Sequence, residues 1–372
     1  EEIFNHVIHQ RPGGMPSDYW DFQKMRSGFE ALKEGEDPAH LMPLGYNRPK
    51  NENDTLWHAA DKKHGGYWQG GIHWSELLKN DVVSFLDTRT ETKPLFMYLA
   101  FNAPHDPRQA PQEYLDMYPL EEISVPQSWL KEYPNKAGIG NNFTLRDEAL
   151  GPYPRTEFAI KTHTKEYYAI ISHLDAQIGA IWKKVEETLG ADNTYLVFTA
   201  DHGLAMGKHG LLGKQSLYDH SVRAPFIILG PDVPKGKKET ADIYIQDAMA
   251  TALHLANDSV PNNLFFNTVL PMAKGEISKS AYPEIYGSYV DYQRMIRKDG
   301  YKLMVFPKLD EVLLFDLEKD PEEMQNLSTL PEHQTKVAQL FSDLQALQKD
   351  MKDPLDLSEV FQKFKQKNNL DL

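Results

Sequence analysis

Apolar residues recur at three- and four-residue steps between Thr164 and Leu189, at Tyr167, Ile170, Ile171, Leu174, Ile178, Ile181, Val185 and Leu189. That period puts them on one stripe of a long helix, and Gly190 supplies its stop. A second stripe, Leu77, Leu78, Val82, Phe85 and Leu86, predicts a helix from Trp74 to Thr88. Three runs have a different pattern: Leu95 to Phe101, Thr194 to Thr199 and Phe226 to Leu229, the last closed by Gly230-Pro231. Near-continuous apolar runs of this length suit strands buried on both faces. With a further helix expected from Gln246 to Leu255, strands alternate with helices. The pattern predicts an α/β fold whose mainly parallel central sheet is flanked by helices.

The tail changes character. Ile285-Tyr286, Tyr292 to Arg297, Tyr301 to Phe306 and Val312 to Leu317 are short runs separated by turn pairs such as Asp299-Gly300. They predict an antiparallel sheet, closed by a helix from Pro331 to Lys349. A boundary at residue 278 divides the chain into an α/β core, 1–278, and a small C-terminal α+β subdomain, 279–372. The start is loop-rich, with turn clusters at Arg11-Pro12-Gly13-Gly14 and from Gly65 to Gly71, and residues 106–160 read as a long surface excursion.

Composition narrows the function. Forty basic against 54 acidic residues leave a net charge of −14, which argues against a nucleic-acid partner. No stretch approaches the roughly 18 consecutive apolar residues of a membrane span. The chain has no cysteine, so Cys-ligated metal sites and thiol nucleophiles are excluded within it. It opens Glu1-Glu2-Ile3-Phe4, with no initiator Met and no signal-peptide core, and a processed or partial chain is expected.

The densest chemistry lies between Thr199 and Pro225. Asp201-His202-Gly203 follows the second apolar run, then Gly207-Lys208-His209-Gly210, Gly213-Lys214-Gln215 and Tyr218-Asp219-His220. Ligands of open α/β sheets bind beyond the carboxyl ends of strands. Asp201 and His202 offer two metal-capable groups there, the glycines let backbone approach a ligand, and Lys214 suits an anionic group. His105, in Ala103-Pro104-His105-Asp106, sits at the end of the first apolar run. Taken singly, each is also an ordinary turn or strand cap. Convergence at strand ends carries the argument. A phosphate-binding loop fails, because Lys208 stands at its first glycine and Gln215 at its Ser/Thr. Neither His-Glu-x-x-His nor Gly-x-Ser-x-Gly occurs.

These ordered motifs resemble the second half of a type I sulfatase, a branch of the alkaline phosphatase superfamily. Arg297 to Leu303 and Leu314 to Pro321 resemble that family's small C-terminal subdomain, and Phe4 to Pro16 the stretch after its nucleophile region. The resemblance implies a metal-dependent sulfuric ester hydrolase acting on a small or oligosaccharide sulfate ester. Asp201 and His202 would then be metal ligands, with calcium expected and magnesium or manganese as alternatives. Lys214 would bind the sulfate, and His105 would contact the ester oxygen or protonate the leaving alkoxide. The family's nucleophile lies in Cys/Ser-x-Pro-x-Arg, matured to formylglycine. No such segment is in this chain, and Ser124 to Ser128 lacks the Arg. Formylglycine is therefore expected on a separate N-terminal segment of the same protein, and periplasmic or secreted localisation is implied by resemblance.

Two other readings stay open. A phosphodiesterase or phosphonate hydrolase of the same superfamily would need a further metal ligand, with His254 and His333 as candidates. An inactive remnant or binding protein would keep the fold without turnover. Secondary candidates are His73-Trp74 as a sugar subsite, Arg108 as a substrate contact or surface ion pair, His209, and the Asn-x-Ser/Thr sites at Asn53, Asn142, Asn257 and Asn326.

Overall fold

A computed structural model of the chain describes residues 4–8, 27–33, 36, 38–42, 45–140 and 145–370. The turn expected at Arg11 to Gly14, the stretch through Met15-Pro16 and the Asn142 site lie outside the described residues. The chain divides into two compact units: 1–132, 143–194 and 210–212 form one, and 133–142, 195–209 and 213–372 the other.

The first unit holds a two-stranded ribbon, β1 (Trp68–Gln69) and β2 (Ile72–His73), then helices α1 (Trp74–Thr88), α2 (Gln112–Asp116) and α3 (Glu157–Thr188). His73 caps α1 by accepting from Ser75 N at 3.2 Å, and the Thr156 hydroxyl caps α3 by accepting from Ala159 N at 3.1 Å. The stripe starts earlier than its apolar spacing suggested, because Ile160 and His163 extend the buried face by two turns. Val82 and Leu86 of α1 pack against Ile181 and Val185 of α3, and Met97, Leu99 and Phe101 close this cluster. A second cluster joins Trp57, Tyr67, Trp74 and Leu115 to Ala169, Ile170 and Leu174.

The run from Leu95 to Phe101 departs from expectation. It carries no strand pairing among the described residues. Alternate residues turn to the helices, while Phe96 is 65% and Tyr98 72% exposed. One face is buried, not two.

The second unit holds β3 (Leu196–Thr199), followed by the short helix α4 (Asp219–Val222) and β4 (Phe226–Leu229). β3 and β4 pair antiparallel, Leu196 opposite Leu229 and Thr199 opposite Phe226. A mainly parallel sheet was expected, yet the described pairs all run antiparallel. A parallel return needs a crossover to the far end of the strand. Here the connecting loop folds back on itself: Gly203 N donates to Ser221 O at 2.8 Å and the Thr199 hydroxyl to Pro225 O at 2.9 Å. The chain therefore re-enters beside the end it left. The α/β architecture itself holds.

Helices α5 (Asp247–Leu255) and α6 (Leu270–Lys274) follow, then β5 (Ile285–Tyr289), β6 (Gln293–Lys298), β7 (Tyr301–Phe306) and β8 (Glu311–Asp316), a four-stranded antiparallel sheet in that order. Asp299 (φ 52°) and Gly300 (φ 74°) form the two-residue hairpin turn between β6 and β7, where positive φ matches the twist of the strands. Ile296, Leu303, Val305 and Leu314 pack on Val337, Leu340, Phe341 and Leu344 of α7 (Gln334–Asp350) and on Val360, Phe361 and Phe364 of α8 (Ser358–Asn368). The expected closing helix is α7, and α8 was not foreseen. No helix among the described residues is long and apolar enough to cross a membrane.

Candidate active site

His105 belongs to the first unit. Its backbone is tied at both ends: its N–H donates to Asn102 O at 3.0 Å, and the Tyr67 hydroxyl donates to its carbonyl at 3.2 Å. The ring is 42% exposed; its Nδ1 lies 2.9 Å from Asp106 O and 3.3 Å from Asp106 Oδ1. The Asp106 side chain is largely covered and pairs through Oδ2 with Arg146 at 3.1 Å. Burial alone would raise this carboxyl, but Arg146, then His105, hold it below the usual carboxylate range.

Arg108 is not on the surface. It is 2% exposed, and Nη1 donates to His163 Nδ1 at 2.7 Å. That leaves His163 Nε2 to donate to Arg48 O at 2.6 Å, while burial, Arg108 and Arg48 keep its pKa well below the ordinary histidine value. His73-Trp74 is likewise interior. His73 is fully buried, stacks on Tyr67 at 4.9 Å and meets His173 edge-on at 4.3 Å. This pair is a packing anchor, not a sugar platform.

The remaining three candidates belong to the second unit. Asp201 and His202 follow β3, with Asp201 Oδ2 3.3 Å from His202 Nε2. Because a carbonyl can only accept, the 2.9 Å contact to Gly203 O assigns the Nδ1 proton as its donor. His202 Nε2 and the Asp201 carboxylate, whose side chain is 85% exposed, are therefore two acceptors lying side by side. Gly203 fixes this geometry by close approach. A Cβ there would lie 2.1 Å from His220 O, a backbone atom that cannot swing away. Gly203→Ala is expected to cost about 2 kcal/mol in urea unfolding; wild-type stability would contradict the packing described.

Beyond it, positive φ at Met206, Gly207, His209 and Gly210 coils the loop. His209 stacks on Tyr218 at 4.2 Å, and burial lowers its pKa to about 4. It packs the loop.

Lys214 leads into a segment held by the C-terminal sheet. Gln293 of β6 donates to Gln215 O at 3.2 Å and accepts from Leu217 N at 3.0 Å. Lys302 of β7, fully buried, donates to Leu217 O at 3.1 Å and pairs with Asp219 and with Glu323 at 2.6 Å. Glu323 in turn accepts from Asp219 N at 2.7 Å. Gln293, Lys302, Glu323 and Asp106 were not singled out as site-supporting residues. The available signal for Lys302 was a cation inside the apolar run Tyr301 to Phe306.

The structure thus brings Asp201 and His202 together, and it puts His105 on one compact unit and Asp201, His202 and Lys214 on the other. A family profile described as Sulfatase matches residues 31–259. The chain belongs to the sulfatase family. A second profile, N-sulphoglucosamine sulphohydrolase C-terminal, matches residues 207–350 of this sulfatase chain. The chain is 30% identical over 277 residues to an arylsulfatase of Clostridium perfringens, covering 73% of this chain and 56% of that protein. It spans about half the length of the curated relatives it matches. One solved structure, a complex with its substrate D-glucosamine-2-N,6-O-disulfate, superposes at a TM-score of 0.65 and 22% identity over 77% of this chain and 73% of that one. A phosphonate monoester hydrolase of Agrobacterium radiobacter reaches 0.66 at 18% identity, over 91% of this chain and 70% of that one. These likenesses place the sulfatase chain in the alkaline-phosphatase-like fold.

Sulfatases generally use a metal ion and formylglycine. By donor type Asp201 and His202 suit part of such a metal site: an oxygen and a nitrogen donor lie 3.3 Å apart, and the other ring nitrogen is held by a carbonyl, as metal-ligating histidines are. Two donors do not complete a coordination shell. Among the described residues no group of three or more His, Cys, Asp or Glu is placed to hold a metal, so neither His254 nor His333 joins them.

Proposed function

We propose that the chain carries the sulfate- and metal-binding part of a metal-dependent sulfuric ester hydrolase whose substrate is a sulfated carbohydrate. The carrying observation is the Asp201–His202 pair at the end of β3, two acceptors side by side in a chain of the sulfatase family. A bound divalent ion would supply charge to offset that developing on the sulfate oxygens. Calcium suits the Asp201 oxygen; the imidazole of His202 keeps magnesium and manganese as alternatives. Lys214 holds the anionic sulfate, and its neighbours 215–219 are fixed by Gln293, Lys302 and Glu323. His105 delivers a proton to the leaving oxygen. Amino-sugar sulfates are the first class to assay, since the solved complex with a glucosamine disulfate shares the fold.

In the complete protein, His105→Ala and Lys214→Ala are each expected to lower kcat/KM on such an ester by about 100-fold or more. Steady-state kinetics on sulfate release checks this. Unchanged turnover in either variant would remove that residue from the assignment.

A further inference from the structure

Behind the His105 ring lies a group that none of these roles uses. We propose that Asp106 is a positioning residue for His105: its carbonyl holds the proton on Nδ1, and its carboxylate, anchored by Arg146, stabilises the imidazolium that presents a proton from Nε2. The inference deepens the sulfatase reading and rests on it.

The geometry is one-sided. Nδ1 sits 2.9 Å from the Asp106 carbonyl and 3.3 Å from Oδ1, so both acceptors face the same ring nitrogen. The carbonyl can only accept, which makes Nδ1 the donor and leaves Nε2 for the reaction. The carboxylate is built into place. Its side chain is 9% exposed, Oδ2 meets Arg146 Nη1 at 3.1 Å, and Arg146 itself is gripped by Asp147. Arg108 adds a second, buried cation whose charge reaches Asp106. With Arg146 and Arg108 near it, Asp106 stays ionised, and its carboxylate faces His105 from the protein side of a ring that is open to solvent on its other side. As the bond from sulfur to the leaving oxygen breaks, its electron pair stays on that oxygen and the Nε2 proton joins it. The sulfuryl group goes, in net, to water. A leaving alkoxide of high basicity needs that proton, whereas a nitrophenolate leaves without it.

The test compares two esters in the complete protein: a sulfate on a sugar primary hydroxyl, and para-nitrophenyl sulfate. Asp106→Asn is expected to lower kcat/KM for the sugar ester about tenfold more than for the aryl ester. Asp106→Glu, which restores the charge, should recover part of that difference. An equal fall on both esters would mean Asp106 only holds the loop, and would overturn the proposal, as would no fall at all. A wild-type protein that hydrolyses neither ester sinks the sulfatase reading instead. Should Asp106→Asn fail to fold, nitrogen NMR of the wild-type His105 ring decides: a protonated Nδ1 supports the proposal, and a bare Nδ1 ends it.

Discussion

Lys302→Met is expected to destabilise the second unit by about 3–5 kcal/mol at neutral pH. Lys302 is fully buried and serves two carboxylates, Asp219 and Glu323, besides the Leu217 carbonyl. Methionine keeps the apolar stem and removes the charge. Two acids are then left facing each other in a desolvated site. The cost lies in those unpaired charges rather than in any strength of the lost bridge. Burial already holds Glu323 above the ordinary glutamate range despite Lys302. In the variant both acids take up a proton more readily, so the penalty should shrink as pH falls toward 4. Urea unfolding at neutral and acid pH reads both effects. Lys308→Met, which breaks an exposed pair with Asp291, should leave stability near wild type. Equal behaviour of the two variants would contradict the buried network. Because the same lysine fixes Leu217, three residues after Lys214, sulfate turnover should fall in Lys302→Met as well.

Acidification below pH 6.5 is expected to destabilise both units before the depressed carboxyls are protonated. His163 and His173 are buried in the first unit, and in the second His209 is buried and His220 half-buried. Burial, the leading cause for each, lowers His173 and His209 to about 4 and keeps His163 and His220 well below the ordinary value. The folded protein keeps these rings neutral. An unfolded chain protonates them near 6.5 and so binds more protons below that pH. Stability is therefore fully present above 6.5 and declines as pH drops toward 4. At pH 5, His173 and His209 each cost about 2 kcal/mol. Depressed carboxyls such as Asp353, held low by Arg294, add a second loss only below their unfolded value of about 4. Asp247 and Glu323, raised by burial, act in the opposite sense above that value and offset part of the histidine loss. Urea midpoints at pH 7.5 and 5 test the order of events. His173→Phe, placed among Tyr114 and His73, should remove part of the dependence. A flat profile between those two pH values would contradict the burial of these rings.

Much of the local structure was legible because one face of an element meets water. The α3 stripe from Tyr167 to Val185 alternates burial and exposure, and in the β5–β8 meander the short apolar runs and the Asp299-Gly300 turn marked the strands. Strand direction was not legible. Phe226 to Leu229 reads the same whether it runs with β3 or against it, and the deciding bonds, Gly203 to Ser221 and Thr199 to Pro225, lie in the connecting loop. Nor could Leu95 to Phe101 reveal a single buried face, since apolar residues stand on both sides of it. Within the candidate site, residue types showed at strand ends, but their support came from distant sequence. Arg146 reaches Asp106 across 40 residues, and Lys302 reaches Asp219 across 83. His73 carries a familiar ligand side chain, yet serves as the cap of α1.

The central claim is sulfate-ester hydrolysis through a metal held in part by Asp201 and His202. Its most direct test is sulfate release from a glucosamine sulfate by the complete protein, before and after removal of divalent ions, beside the matching phosphate and phosphonate esters. The account predicts turnover of the sulfate ester in preference to the others, lost on chelation and restored by calcium, magnesium or manganese. Preference for the phosphonate ester, or sulfate release indifferent to chelation, would contradict it.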